Sequence, residues 1–94
     1  MSKIREIVRS TQFKRDFKKL SKSGRYNISD FLDVVDKLAR DIPLPRNNFD
    51  HGLEGEWKGF RECHIKPDWL LIYEKPKEQL ILVLARTGSH SELF

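Results

Sequence analysis

Two unbroken apolar runs, Trp69-Leu70-Leu71-Ile72-Tyr73 and Leu80-Ile81-Leu82-Val83-Leu84-Ala85, constrain this chain more than any other feature. Each has the length of a strand rather than of a buried helix. Apolar residues at every position are expected of a central strand covered on both faces. Lys66-Pro67-Asp68 and the charged stretch around Lys75-Pro76-Lys77 supply turns before and between them, and Phe60 to Ile65 supplies a third strand. Two adjacent hairpins predict a three-stranded meander, to whose edge a short β-branched segment, Ile4 to Val8, can add.

The first half of the chain has a different period. Phe13, Phe17 and Leu20 recur at i, i+4 and i+7, while Lys14, Arg15, Lys18, Lys19 and Lys22 fall mostly off that stripe. Ser10 or Thr11 caps the start of this helix and Gly24 ends it. A second helix is predicted from Asn27, with Ile28, Phe31, Leu32, Val35, Leu38 and Ala39 as its buried face and Asp36 paired to Arg40 one turn on. Pro43 and Pro45 end it. The expected fold class is α+β: an antiparallel hairpin of two N-terminal helices packed on one face of a small, mainly antiparallel sheet. Residues 1–94 suffice for one domain with one modest core.

Composition narrows the partners. Charged residues make up 34% and hydrophobic ones 38%, as in soluble globular chains, and no run reaches the ~18 apolar residues of a membrane span. MSKIREIVRS carries no apolar signal segment and Cys63 has no second cysteine to pair with, so a cytoplasmic location is expected. The net charge is +4, yet residues 1–25 hold nine Lys/Arg against Glu6 and Asp16. That stretch alone is +7 and the remainder −3, which points to a polyanionic partner such as nucleic acid.

All three histidines, His51, His64 and His90, lie in the second half with Asp68 and Arg86. Imidazole gives or takes a proton near neutral pH, and guanidinium holds the charge that builds on a phosphate under attack. These are the groups needed to break a phosphodiester without metal. Strand alternation puts His64 on the face away from Cys63 and Ile65. Hairpin geometry predicts that His64, Asp68, Arg86 and His90 meet at one rim, with the 43–56 loop bringing His51 over them. His and Asp also ligate zinc, but no His-x-x-x-His or Cys-x-x-Cys pair is present and Arg86 repels a cation, so no metal and no cofactor is expected. Cys63, predicted to face the core, is a poor nucleophile.

Asp50-His51-Gly52-Leu53, Gly55-Glu56-Trp57-Lys58-Gly59-Phe60-Arg61-Glu62-Cys63-His64 and Pro67-Asp68-Trp69-Leu70-Leu71-Ile72-Tyr73 together resemble YafQ-type toxins of the RelE superfamily. The ending Arg86-Thr87-Gly88-Ser89-His90-Ser91-Glu92-Leu93-Phe94 is similar to the same family, while the helical half agrees in pattern only. The resemblance implies a ribosome-dependent mRNA endonuclease of a type II toxin–antitoxin system, inhibited by a cognate antitoxin. It implies site residues His51, His64, Asp68, Arg86, His90 and Phe94. The basic helix, with Lys14, Arg15, Lys18, Lys19 and Lys22, is then expected to dock on ribosomal RNA, and also to receive an acidic antitoxin segment. An oligomeric toxin–antitoxin complex and a monomeric free toxin are expected. The competing readings are a non-catalytic basic nucleic-acid-binding module and a metal-dependent hydrolase.

Overall fold

Ser10 and Gly24 bracket the first helix as the sequence predicts. The computed structural model describes residues 3–94, and in it helix α1 spans Thr11–Ser23. Ser10 is extended and its hydroxyl accepts the Phe13 N–H at 2.9 Å, satisfying one of the helix's orphan donors. Gly24 closes the helix at φ 68°, a left-handed position that costs glycine nothing. Helix α2, Ile28–Ala39, starts on Asn27, whose Oδ1 accepts the Ser29 N–H at 3.0 Å. Asp36 and Arg40 pair at 2.8 Å. The two helices meet through aromatic rings, Phe17 on Phe31 at 4.9 Å between centroids.

One expectation for α2 fails. Leu32 is exposed, and Val34 is buried in its place. Residues 31, 34, 35 and 38 form the i, i+3, i+4, i+7 stripe, and Leu32 stands one step of about 100° round from Phe31, outside it.

The sheet has five strands: β1 Glu6–Arg9, β2 His51–Gly52, β3 Arg61–Lys66, β4 Trp69–Glu74 and β5 Ile81–Gly88. Their order is β1-β5-β4-β3-β2, with β1 parallel to β5 and every other pair antiparallel. The opening strand thus joins the meander's edge, two residues later than Ile4 to Val8 suggested. The 43–56 loop is not structureless. It holds 3-10 turns at Arg46–Asn48 and, at its end, Gly55–Trp57, with β2 between them. A one-turn helix α3, His90–Leu93, ends the chain.

Helix side chains including Phe13, Phe31 and Leu38 pack on Cys63, Trp69, Leu71, Tyr73, Leu82 and Leu84 from one sheet face. Leu70, Ile72, Ala85 and Leu93, with Trp57 and Phe60 against them, form a smaller cluster on the other. Strand β4 is therefore buried on both faces, which its unbroken apolar run demanded. Each such side chain is worth about 1.5–3 kcal/mol against a typical net stability of about 5–15 kcal/mol, so β4 anchors the molecule. The polar Trp69 indole is satisfied too, donating to Thr87 Oγ1 at 2.9 Å.

Two register shifts interrupt this sheet. Ile65 is the extra residue between His64 and Lys66, and Ala85 the extra one between Leu84 and Arg86. Bulges re-aim neighbouring side chains, and each of these adjoins a candidate site residue. Among the described residues, no helix is long and apolar enough to cross a membrane.

Candidate active site

The two-residue strand β2 exists because His51 and Gly52 pair with Glu62 and Arg61 of β3. That pairing places His51 directly opposite Glu62, and Glu62 lies two residues before His64 on the same face. Glu62 Oε1 stands 3.8 Å from His51 Nε2 and 3.7 Å from His64 Nε2. Its side chain is only 7% exposed, while those of His51 and His64 are 52% and 25% exposed. A buried carboxylate therefore faces two accessible imidazoles at once.

The other ring nitrogens fix the tautomers. His51 Nδ1 lies 2.7 Å from the Phe49 carbonyl and His64 Nδ1 lies 3.3 Å from that of Pro67. A carbonyl only accepts, so each Nδ1 carries the hydrogen. In the neutral ring Nε2 is then the basic nitrogen, and in both residues it points toward Glu62.

The loop that carries His51 is tied down beneath. Tyr73 donates to Asp50 Oδ1 at 2.6 Å and Arg61 Nε approaches the same oxygen at 3.3 Å. Burial, with the Asp50 hydrogen bond, pushes the Tyr73 hydroxyl up, so it stays a donor at neutral pH. Asn48 Nδ2 donates to the His64 carbonyl at 2.6 Å, stitching the loop to β3. Phe49 adopts a left-handed backbone, φ 47°, and its ring stands edge-on to His64 at 5.5 Å.

Asp68, His90 and Phe94 form a second group. Ser89 and Glu92 make a reciprocal capping box that holds α3 despite its single turn. The His90 N–H approaches Asp68 Oδ1 at 3.4 Å, and the His90 and Phe94 rings lie 5.3 Å apart. The two groups share the β3–β4 turn, since Pro67 accepts from His64 and Asp68 follows it. In the ladders His64 is opposite Leu70 and Leu70 opposite Gly88, so two strand spacings, about 10 Å, separate His64 from Gly88, the last residue of β5.

Arg86 has a partner the sequence did not suggest. Its Nε and Nη2 donate to Asp16 Oδ2 and Oδ1, both at 3.0 Å, in a two-pronged pair across to α1. Neither His64 nor Asp68 is bonded to it. Asp16 also accepts the Thr87 N–H at 3.2 Å, so α1 covers an edge of β5 beyond the point where β1 stops. Burial works against ionisation of Asp16. The hydrogen bonds from Arg86, Gln12 and Thr87 outweigh it and hold the carboxyl below its usual range. The same bond holds the Arg86 guanidinium more firmly charged than usual. Across the sheet, Arg86, Ile72, Glu62 and His51 are successive partners, so about 15 Å of strand spacing separates Arg86 from His51.

The basic residues of α1 divide. Arg15 and Lys19 line a cleft of about 400 Å³ with Asp16, Tyr26, Arg86 and Glu92; Lys14, Lys18 and Lys22 lie outside it. All five are exposed. Cys63 is fully buried, and burial raises its thiol far above the range in which a thiolate forms. Among the described residues, no group of three or more His, Cys, Asp or Glu side chains is arranged to hold a metal ion.

Sequence reasoning passed over Glu62 and Asp16. Alternation already set Glu62 beside His64, and Asp16 is the only acid within a helix otherwise rich in lysine and arginine.

A family model described as "Bacterial toxin of type II toxin-antitoxin system, YafQ" matches residues 5–94. The mRNA interferase toxin YafQ of Escherichia coli K12 is 36% identical over 91 residues, 96% of each chain. A metal-bound toxin from Helicobacter pylori, solved as a crystal structure, is 45% identical with a TM-score of 0.90, over 97% of this chain and all of that one. The toxin chain matched in the E. coli DinJ–YafQ toxin–antitoxin complex is 36% identical, with a TM-score of 0.82 over 96% of this chain and 97% of that one.

Proposed function

Because this chain belongs to the YafQ family of type II toxin–antitoxin toxins, within the RelE/ParE superfamily, we propose that it is a ribosome-dependent mRNA endonuclease that inhibits translation. Its substrate is mRNA on the translating ribosome, in the cytoplasm, and residues 1–94 act as one domain. The observation that carries the reading is the pair of imidazoles whose Nε2 atoms face one buried carboxylate, Glu62, each with its Nδ1 on a backbone carbonyl.

In the proposed reaction the 2′-hydroxyl of one nucleotide attacks the adjacent phosphorus. His64, with Asp68 or His51 able to share the task, removes the hydroxyl proton. The new O2′–P bond forms as the P–O5′ bond breaks, and His90 protonates the departing 5′ oxygen. The products are a 2′,3′-cyclic phosphate and a free 5′-hydroxyl. A positioned acid or base contributes about 10²–10⁴-fold. Arg86 steadies the charge on the pentacoordinate phosphate. Asp16 occupies its Nε and one Nη2 hydrogen, which leaves Nη1 and the second Nη2 hydrogen for the phosphate. Phe94, exposed and against His90, stacks on a base or orients the backbone.

Lys14, Arg15, Lys18, Lys19 and Lys22 contact ribosomal RNA phosphates, an attraction that salt weakens steeply. A cognate antitoxin with an acidic segment covers the same helix and forms an oligomeric complex; the free toxin is a monomer. Support for such a partner comes from the E. coli relative, which was solved together with DinJ.

Induction of the wild type and of His90→Ala in cells tests the reading. Growth arrest with newly cut mRNA in the wild type alone is the expected result. Equal arrest and equal cutting by both removes His90 from the mechanism.

A further inference from the structure

Phe49 stands beside His51 and His64 without being one of the site residues that the family resemblance implies. It is 63% exposed, the most exposed of the chain's large apolar residues among those described. Water-facing aromatic surface is unfavourable, and a left-handed backbone is unfavourable for any residue but glycine, asparagine or aspartate. Both persist here because the neighbours are over-determined. Asn48 is bonded to the His64 carbonyl and Asp50 to Tyr73, so the chain is anchored on either side of Phe49. Its carbonyl holds His51 and its ring touches His64 edge-on, which leaves ring surface open to solvent.

Beside the ring lies an open cleft of about 490 Å³ lined by residues 43–46 and 49–51, Asp50 included. Its walls are largely apolar; Arg46 is the cation at hand, the Asp50 carboxylate is taken up by Tyr73 and Arg61, and His51 is shared with the imidazole pair. A flat apolar ring, a cavity of ligand size and a guanidinium are the elements that hold an unpaired base and its phosphate. We propose that Phe49 and this cleft bind an unpaired nucleobase of the RNA next to the phosphate being cut. The inference deepens the nuclease reading and rests on it for the choice of RNA as ligand.

Short uncleavable 2′-O-methyl oligoribonucleotides of each base, and an abasic strand of the same length, test this by equilibrium binding to the intact chain. Phe49→Ala is expected to weaken binding of at least one base-bearing strand about tenfold, or about 1.4 kcal/mol, and to leave abasic binding unchanged. Phe49→Leu keeps an apolar contact with His64 but has no stacking face, so it should lose as much; Phe49→Trp should restore affinity. Wild-type affinity in Phe49→Ala, equal losses on base-bearing and abasic strands, or no preference of the wild type for bases over the abasic strand each overturn the proposal. The nuclease reading fails separately. Base binding through Phe49 without any mRNA cutting sinks the reaction and spares the cleft, and full cutting by Phe49→Ala with unchanged binding does the reverse.

Discussion

Glu62 is the residue on which the proposed acid–base arrangement turns. Its carboxylate reaches His51 and His64 without making a hydrogen bond to either, at 3.8 and 3.7 Å. Replacing it with glutamine keeps the volume and removes the charge that both rings face. Glu62→Gln is expected to lower single-turnover cleavage at least about tenfold, less than the about 10²–10⁴-fold that a direct acid or base supplies, while the thermal midpoint moves little. Wild-type cleavage by this variant sinks the role given to Glu62. The sequence made part of this visible, because the period of two put Glu62 and His64 on one face. It did not reveal that β2 brings His51 opposite Glu62, since a two-residue strand leaves no periodic signal. Arg86 was legible as a candidate for holding phosphate, but its tether was not. Asp16 lies 70 positions away, and no local pattern reports so distant a pairing.

At the scale of elements, the joint between α1 and β5 decides how Arg86 is presented. Ser10 caps α1 and also donates to the Ala85 carbonyl at 2.8 Å, at the bulge that precedes Arg86. Asp16 then fastens Arg86 and Thr87 from the same helix. Asp16 binds its proton less readily folded than unfolded, so its contribution is complete above the usual carboxylate value near 3.8 and disappears as pH falls through the depressed one. Asp16→Asn should therefore cost about 1–3 kcal/mol at pH 7, the worth of hydrogen bonds between charged groups. Its stability should also fall less than the wild type's as pH drops below about 4. Urea unfolding at several pH values checks both. Parallel acid limbs and equal midpoints at pH 7 contradict the tether. Caps and stripes made both helices legible. Leu32 was misassigned because α2 carries apolar residues on adjacent steps, and only the packed partner decides which of them is covered. Neither bulge was legible, because register is set between strands and not along one.

For the whole molecule, the meander of β3, β4 and β5 followed from two apolar runs and the turns between them. The parallel docking of β1 beside β5 followed less directly, from a short β-branched segment that needed an edge. The resulting sheet carries helices on one face and the candidate catalytic groups toward the other and its rim, with the basic helix alongside. In the reaction proposed for that arrangement, the RNA's own 2′-hydroxyl is the attacking group. The most direct test is an mRNA with a single 2′-deoxy nucleotide at the mapped cleavage position, offered on translating ribosomes to the purified toxin. The expected result is no cut at that position, and a 2′,3′-cyclic phosphate at the upstream end when the 2′-hydroxyl is present. Cleavage of the 2′-deoxy message at the same position and rate contradicts it.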